Sequence, residues 1–164
     1  KEYRRQRQMC IRDSYIPWSG IDNALTAQAF GLTTYGKPVE GSIVDYENLD
    51  NHQNGIHDYF KYLKFGFSRA TDITSSLIRR GLISRENAIA LINRHERRCF
   101  PSAHLGKTLP EILEPLEMSV SEFIGICDIH TNREIFQTDG SGSLLKELDG
   151  TPKLRKDILD NYML

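Results

Sequence analysis

The run His57-Asp58-Tyr59-Phe60-Lys61-Tyr62-Leu63-Lys64-Phe65-Gly66-Phe67-Ser68-Arg69-Ala70-Thr71-Asp72 carries the densest polar cluster of the 164-residue chain. Ile56, Phe60 and Leu63 recur at helical spacing, so a helix is expected from His57, with Lys61 and Lys64 beside its apolar face. Gly66 breaks the period and makes Phe65-Gly66-Phe67-Ser68 a turn. A second helix follows from about Thr71, carrying Ile73, Leu77 and Ile78 up to Gly81. Ser84 then caps a third, whose buried stripe is Ala88, Ile89, Leu91 and Ile92. The fold class expected from this centre is mainly α.

Working outward, two capping boxes open further helices: Thr108-Leu109-Pro110-Glu111, ended near Pro115, and Ser119-Val120-Ser121-Glu122, running to about His130. Glu134 to Gln137 and Ser143 to Lys146 are strand candidates around Asp139-Gly140-Ser141-Gly142, a small terminal β-hairpin on a helical body. Toward the N-terminus, Ile21, Leu25 and Ala29 predict a helix over Asp22 to Phe30, stopped by Gly31. Tyr15 to Ser19 begins extended, because Pro17 disfavours helix before it. Residues 32 to 56 read as loop, with Ile43-Val44 the one short strand candidate.

Residues 1 to 13 have neither period. Met9-Cys10-Ile11-Arg12-Asp13-Ser14 resembles the translation of a transposase end sequence used in sequencing libraries, so this basic tail is expected to be non-native. The expected organisation is a tail at 1–13, a helical domain at 14–132, and a hairpin and tail at 133–164.

Hydrophobic residues make up 39% and charged residues 26%, the proportions of a globular protein. No apolar run reaches the length of a membrane span, and no signal peptide is legible, so a cytoplasmic protein without a membrane partner is expected. Cys10, Cys99 and Cys127 form no CxxC pair and supply no metal site. The net charge of -1 conceals blocks of +3 over 1–13, -4 over 14–56, +5 over 57–98 and -5 over 99–164. A basic centre between acidic flanks suits an anionic ligand better than a nucleic-acid coat, which makes nucleic acid an unlikely partner.

Within that centre, His57, Lys61 and Lys64 share a helical face by i, i+4, i+7 spacing, and the turn delivers Arg69. If the next helix starts near Thr71, its free amides join them as an anion site, with Asp72 in its first turn. The candidate substrate- or phosphate-binding residues are therefore His57, Lys61, Lys64, Arg69 and Asp72, with no catalytic residue assigned. Each has a structural alternative. Tyr59, Phe60, Phe65 and Phe67 read as core, and Arg79, Arg80, Arg94, Arg97 and Arg98 as a solvated face. No GxxxxGKS, GxGxxG, HExxH or GxSxG motif is present.

Tyr15-Ile16-Pro17-Trp18-Ser19, Pro38-Val39-Glu40-Gly41, Asp45 to Asp50, and above all His57 to Asp72 followed by Ile78-Arg79-Arg80-Gly81 resemble the C-terminal part of the N-acetyl sugar amidotransferases. The resemblance runs from Ser14 to Asn132. It implies the helical C-terminal portion of an α/β enzyme of the adenine-nucleotide α-hydrolase type, active in surface-polysaccharide and lipopolysaccharide sugar synthesis. Such an enzyme turns the acetamido group of a nucleotide-activated sugar into an acetamidino group. ATP activates the amide oxygen, and ammonia from a partner glutaminase displaces AMP. The resemblance implies ATP and Mg as cofactors, bound mainly by an upstream half whose nucleotide loop is not in this sequence. Ser68 stands where that family leads one to expect glycine. Two other readings stay open: a noncatalytic docking module for the glutaminase, and a nucleic-acid-binding helical domain like those of related tRNA-modifying enzymes.

Overall fold

The computed structural model describes residue 15, residues 19–96 and residues 98–162. The expectations for residues 1–13, for Ile16 to Trp18 and for Arg97 lie outside them. Tyr15 has helical backbone rather than the extended start read from Pro17, whose restriction acts on Ile16 alone. The chain divides into two compact units, one up to Thr34 and one from Tyr35 onward.

The first unit contains α1 (Gly20–Ala29), capped by the Ser19 hydroxyl, which accepts from the Asp22 amide at 3.2 Å. Gly31, at φ 99°, ends it and donates to the Gln28 carbonyl. Ala24 is the buried residue of this helix, while Ile21 and Leu25 are exposed. The spacing identified a helix correctly and its covered face wrongly, since period alone does not say which stripe meets a neighbour.

The second unit begins with a loop closed by Tyr35 N–H to the Asp45 carbonyl and Val39 N–H to the Val44 carbonyl. Ile43-Val44 forms no strand. Helix α2 (Asn54–Phe65) starts three residues before the expected His57 and ends at Gly66, whose φ of 77° needs no side chain. Helix α3 spans Arg69–Arg79 and α4 spans Arg85–His95, and the two pack together. Ser84 caps α4, accepting from the Asn87 amide. Of the stripe expected on α4, Ala88 is fully buried and Ile89, Leu91 and Ile92 are half-buried.

Beyond α4 lies a two-stranded antiparallel sheet absent from the sequence reading: β1 (Ala103–His104) paired with β2 (Lys107–Thr108). Helix α5 (Leu109–Leu113) and a 3-10 turn (Glu114–Leu116) follow, then α6 (Val120–His130) and α7 (Lys156–Tyr162). Both capping boxes are present. Glu111 accepts from the Thr108 amide at 2.8 Å, and Glu122 from the Ser119 amide at 2.8 Å. The terminal hairpin takes the form of isolated antiparallel bridges, Thr138 with Leu144, Phe136 with Leu154 and Lys146 with Pro152. Among the described residues no helix is long and apolar enough to cross a membrane.

One core organises this unit: Tyr59, Tyr62 and Leu63 of α2, Leu109 and Leu113 of α5, Phe123 and Cys127 of α6, and Phe136 and Leu154 of the tail. Burying each of these large side chains stabilises the fold by roughly 1.5–3 kcal/mol. Phe100 wedges edge-on against Tyr59 and Phe123, with centroids 5.8 and 6.0 Å away. Asn132 ties the end of α6 to the end of α2, its amide donating to the Leu63 carbonyl at 3.0 Å. Helix α2 is thus held rigidly, and it carries the candidate cations.

Candidate functional site

The junction between α2 and α3 decides what the cationic run does. Ser68, fully buried, caps α3 in extended conformation with φ -137°, and its hydroxyl donates to the Asp58 carbonyl at 3.1 Å. That backbone shape suits any residue, so serine in place of glycine costs nothing here. Helix α3 begins at Arg69, not Thr71, because Ser68 is the residue that breaks from helical geometry. Arg69 therefore stands in the first turn of a helix rather than in the loop.

Arg69 turns back onto α2. Its Nε and Nη2 donate to the two oxygens of Asp58 at 2.8 and 3.0 Å, a fork-to-fork pair. Nη1 reaches Glu47 at 3.5 Å, and Asn48, with its amide oxygen toward the guanidinium, accepts from Nη1 at 2.9 Å. Asp58 is buried. Its Oδ1 also lies 3.2 Å from Nδ1 of His57, whose ring is exposed. Lys61 pairs with Asp72 and lies over the Phe67 ring, 5.0 Å from its centroid. Lys64 is exposed in the last turn of α2 and forms no ion pair among the described residues.

Two of the amides at the start of α3, those of Ser68 and Thr71, are occupied. Glu96, at the C-terminal cap of α4, accepts from the Ser68 amide through Oε1 and from the Thr71 amide through Oε2 at 2.9 Å. A carboxylate of the chain itself thus fills the anion position at this helix end. Burial pushes the Glu96 carboxyl upward from its ordinary value, against the downward pull of the two amides. Neither Asp58 nor Glu96 was singled out in the sequence. Asp58 lay inside the quoted run, one position from His57, whereas Glu96 gave no local signal.

Other expectations change with the packing. Tyr59 is core and Phe60 and Phe67 are half-buried, but Phe65 is exposed, because the chain turns at Gly66 just beyond it. Arg79, Arg80 and Arg94 are exposed as expected, whereas Arg98 is half-buried. Cys127 is buried, its thiol pushed up to about 12 by desolvation, and Cys99 is exposed. The described residues hold no group of three or more His, Cys, Asp or Glu side chains arranged to hold a metal ion.

Residues 32–149 match the family model of the LPS biosynthesis protein WbpG-like C-terminal domain. The chain belongs to that family. The matched segment takes in all of α2, α3 and α4 and so the whole junction around Arg69. This WbpG-like domain is thus a part of lipopolysaccharide biosynthesis proteins. No curated protein matches the chain.

Proposed function

We propose that this WbpG-like domain is the C-terminal part of a cytoplasmic ATP-dependent amidotransferase, which converts the acetamido group of a nucleotide-activated sugar to an acetamidino group. Ammonia comes from a partner glutaminase. The observation that carries this reading is the family match, which spans the run His57 to Asp72 on which the resemblance rests.

In this reading the domain has a supporting part in that chemistry. The Ser68 and Thr71 amides at the start of α3 are taken by Glu96, and Arg69 is paired with Asp58. These residues do not fit ATP and Mg2+, so in this reading both bind in an upstream half. Asp58, Arg69 and Glu96 fix the α2–α3 corner, and with it the direction in which exposed His57 and Lys64 are presented.

The test uses the full-length enzyme with a nucleotide-activated N-acetyl sugar, ATP, Mg2+ and ammonium. The sugar product should be lighter by the difference between an oxygen atom and an NH group, with AMP and pyrophosphate released in step. ATP turnover that leaves the sugar mass unchanged would contradict the reading.

A further inference from the structure

Away from the junction, the loop Asp50–Gln53, strand β2 and the start of α5 enclose a depression of about 270 Å3. Its walls are fixed. Gly55 lies so close to His104 that a Cβ there would sit 2.8 Å from the His104 Cβ, which draws the start of α2 onto the β1–β2 hairpin. His52 Nδ1 lies 3.4 Å from the His104 carbonyl oxygen. A carbonyl only accepts, so in the neutral ring this contact places the proton on Nδ1 and leaves Nε2 as an acceptor. On the opposite side Glu111 clamps β2 to α5 through the Thr108 amide.

Several polar groups facing this space are unspent. Asn51 Oδ1 is used by the Gln53 amide at 2.8 Å, but the side chains of Asp50, Gln53 and Lys107 make no hydrogen bond or ion pair among the described residues. They stand around an apolar floor of Ile112, itself buried, and Pro115. We propose that this depression binds the pyranose ring of a sugar. Acceptors at Asp50 and His52 Nε2, a donor at Lys107 and both kinds at Gln53 match hydroxyl groups, which donate and accept alike. Ile112 and Pro115 match the C–H face of the ring. A phosphate fits poorly, because the carboxylates of Asp50 and Glu111 repel it.

The choice of an N-acetylated sugar as probe rests on the proposed function, whereas the site rests on its own geometry. The isotope-labelled chain is titrated with N-acetylglucosamine, with UDP and with UDP-N-acetylglucosamine while amide NMR shifts are followed. The two sugars should shift the amides of Asn51, His52, Gln53 and Lys107 saturably, and UDP alone should leave them in place. Lys107→Met and, separately, Gln53→Ala should each weaken sugar binding by roughly tenfold, the loss of about 1.4 kcal/mol, with unchanged melting temperature. The proposal is overturned if UDP alone moves these amides, if neither sugar does, or if both variants bind as the wild type does. Sugar binding here together with failed amidotransfer in the full-length enzyme would refute the proposed reaction and leave this site standing.

Discussion

Two polar regions of the second unit use their charges in opposite ways. At the α2–α3 corner, Arg69 is held by Asp58, Lys61 by Asp72, and the helix amides by Glu96. In the depression beside β2, Asp50, Gln53 and Lys107 face open space. The first region has the higher density of charge in the sequence and the smaller share of it left over. Charge density marks where a fold must compensate burial, and unspent polar groups mark where a ligand has something to gain.

The sharpest way to break this comparison is Asp58→Ala, which strips the bidentate acceptor from Arg69. Removing one partner of a buried pair should cost about 3 kcal/mol, read from urea denaturation. A loss under about 1 kcal/mol, the range of exposed pairs, would mean that the corner is not held by this pair.

Glu96 gives a test by pH. Its folded carboxyl sits above the ordinary value of 4.5, burial outweighing the amide hydrogen bonds. The folded chain then holds this proton more tightly than the unfolded chain, so the contribution of Glu96 is full below the ordinary value and falls as pH rises through the raised one. Glu96→Gln cannot titrate. The stability of wild type minus that of the variant should shrink as pH rises across this window, in paired thermal melts. A difference that grows with pH would mean that the amides outweigh burial.

Smaller effects sharpen the contrast. Lys61→Met, which removes a partly exposed pair, should cost about 0.5 kcal/mol by chemical denaturation. In the depression, Lys107→Met should leave stability within about 0.5 kcal/mol of wild type, because the Lys107 side chain makes no hydrogen bond or ion pair among the described residues and its charge reaches only the exposed Glu111. A larger loss there would show that Lys107 serves the fold.

What was legible in the sequence follows from distance along the chain. Ser84, Thr108 and Ser119 announced their helices because a cap acts on amides two or three residues away. Gly66 announced the end of α2 for the same reason. The start of α3 was misplaced by two residues, since what decides it is the buried backbone break at Ser68, held from the distant Glu96. The β1–β2 pair was missed because two-residue strands leave no period. The depression was missed too: its walls depend on Gly55 meeting His104, a contact between positions that share no local pattern. Of the residues expected together, His57, Lys61, Lys64, Arg69 and Asp72, the structure pairs Lys61 with Asp72 and Arg69 with Asp58; periodicity places side chains on a face without saying which of them pair.

The most direct measurement is a titration of the chain with inorganic pyrophosphate, followed at the backbone amides of Ser68, Arg69 and Thr71 by NMR. With Glu96 seated on the Ser68 and Thr71 amides and the Arg69 side chain committed to Asp58, we expect only the uniform drift that ionic strength imposes on every exposed amide. Saturable shifts confined to these three residues would contradict that expectation, showing that the α2–α3 corner gives up Glu96 to bind a phosphate.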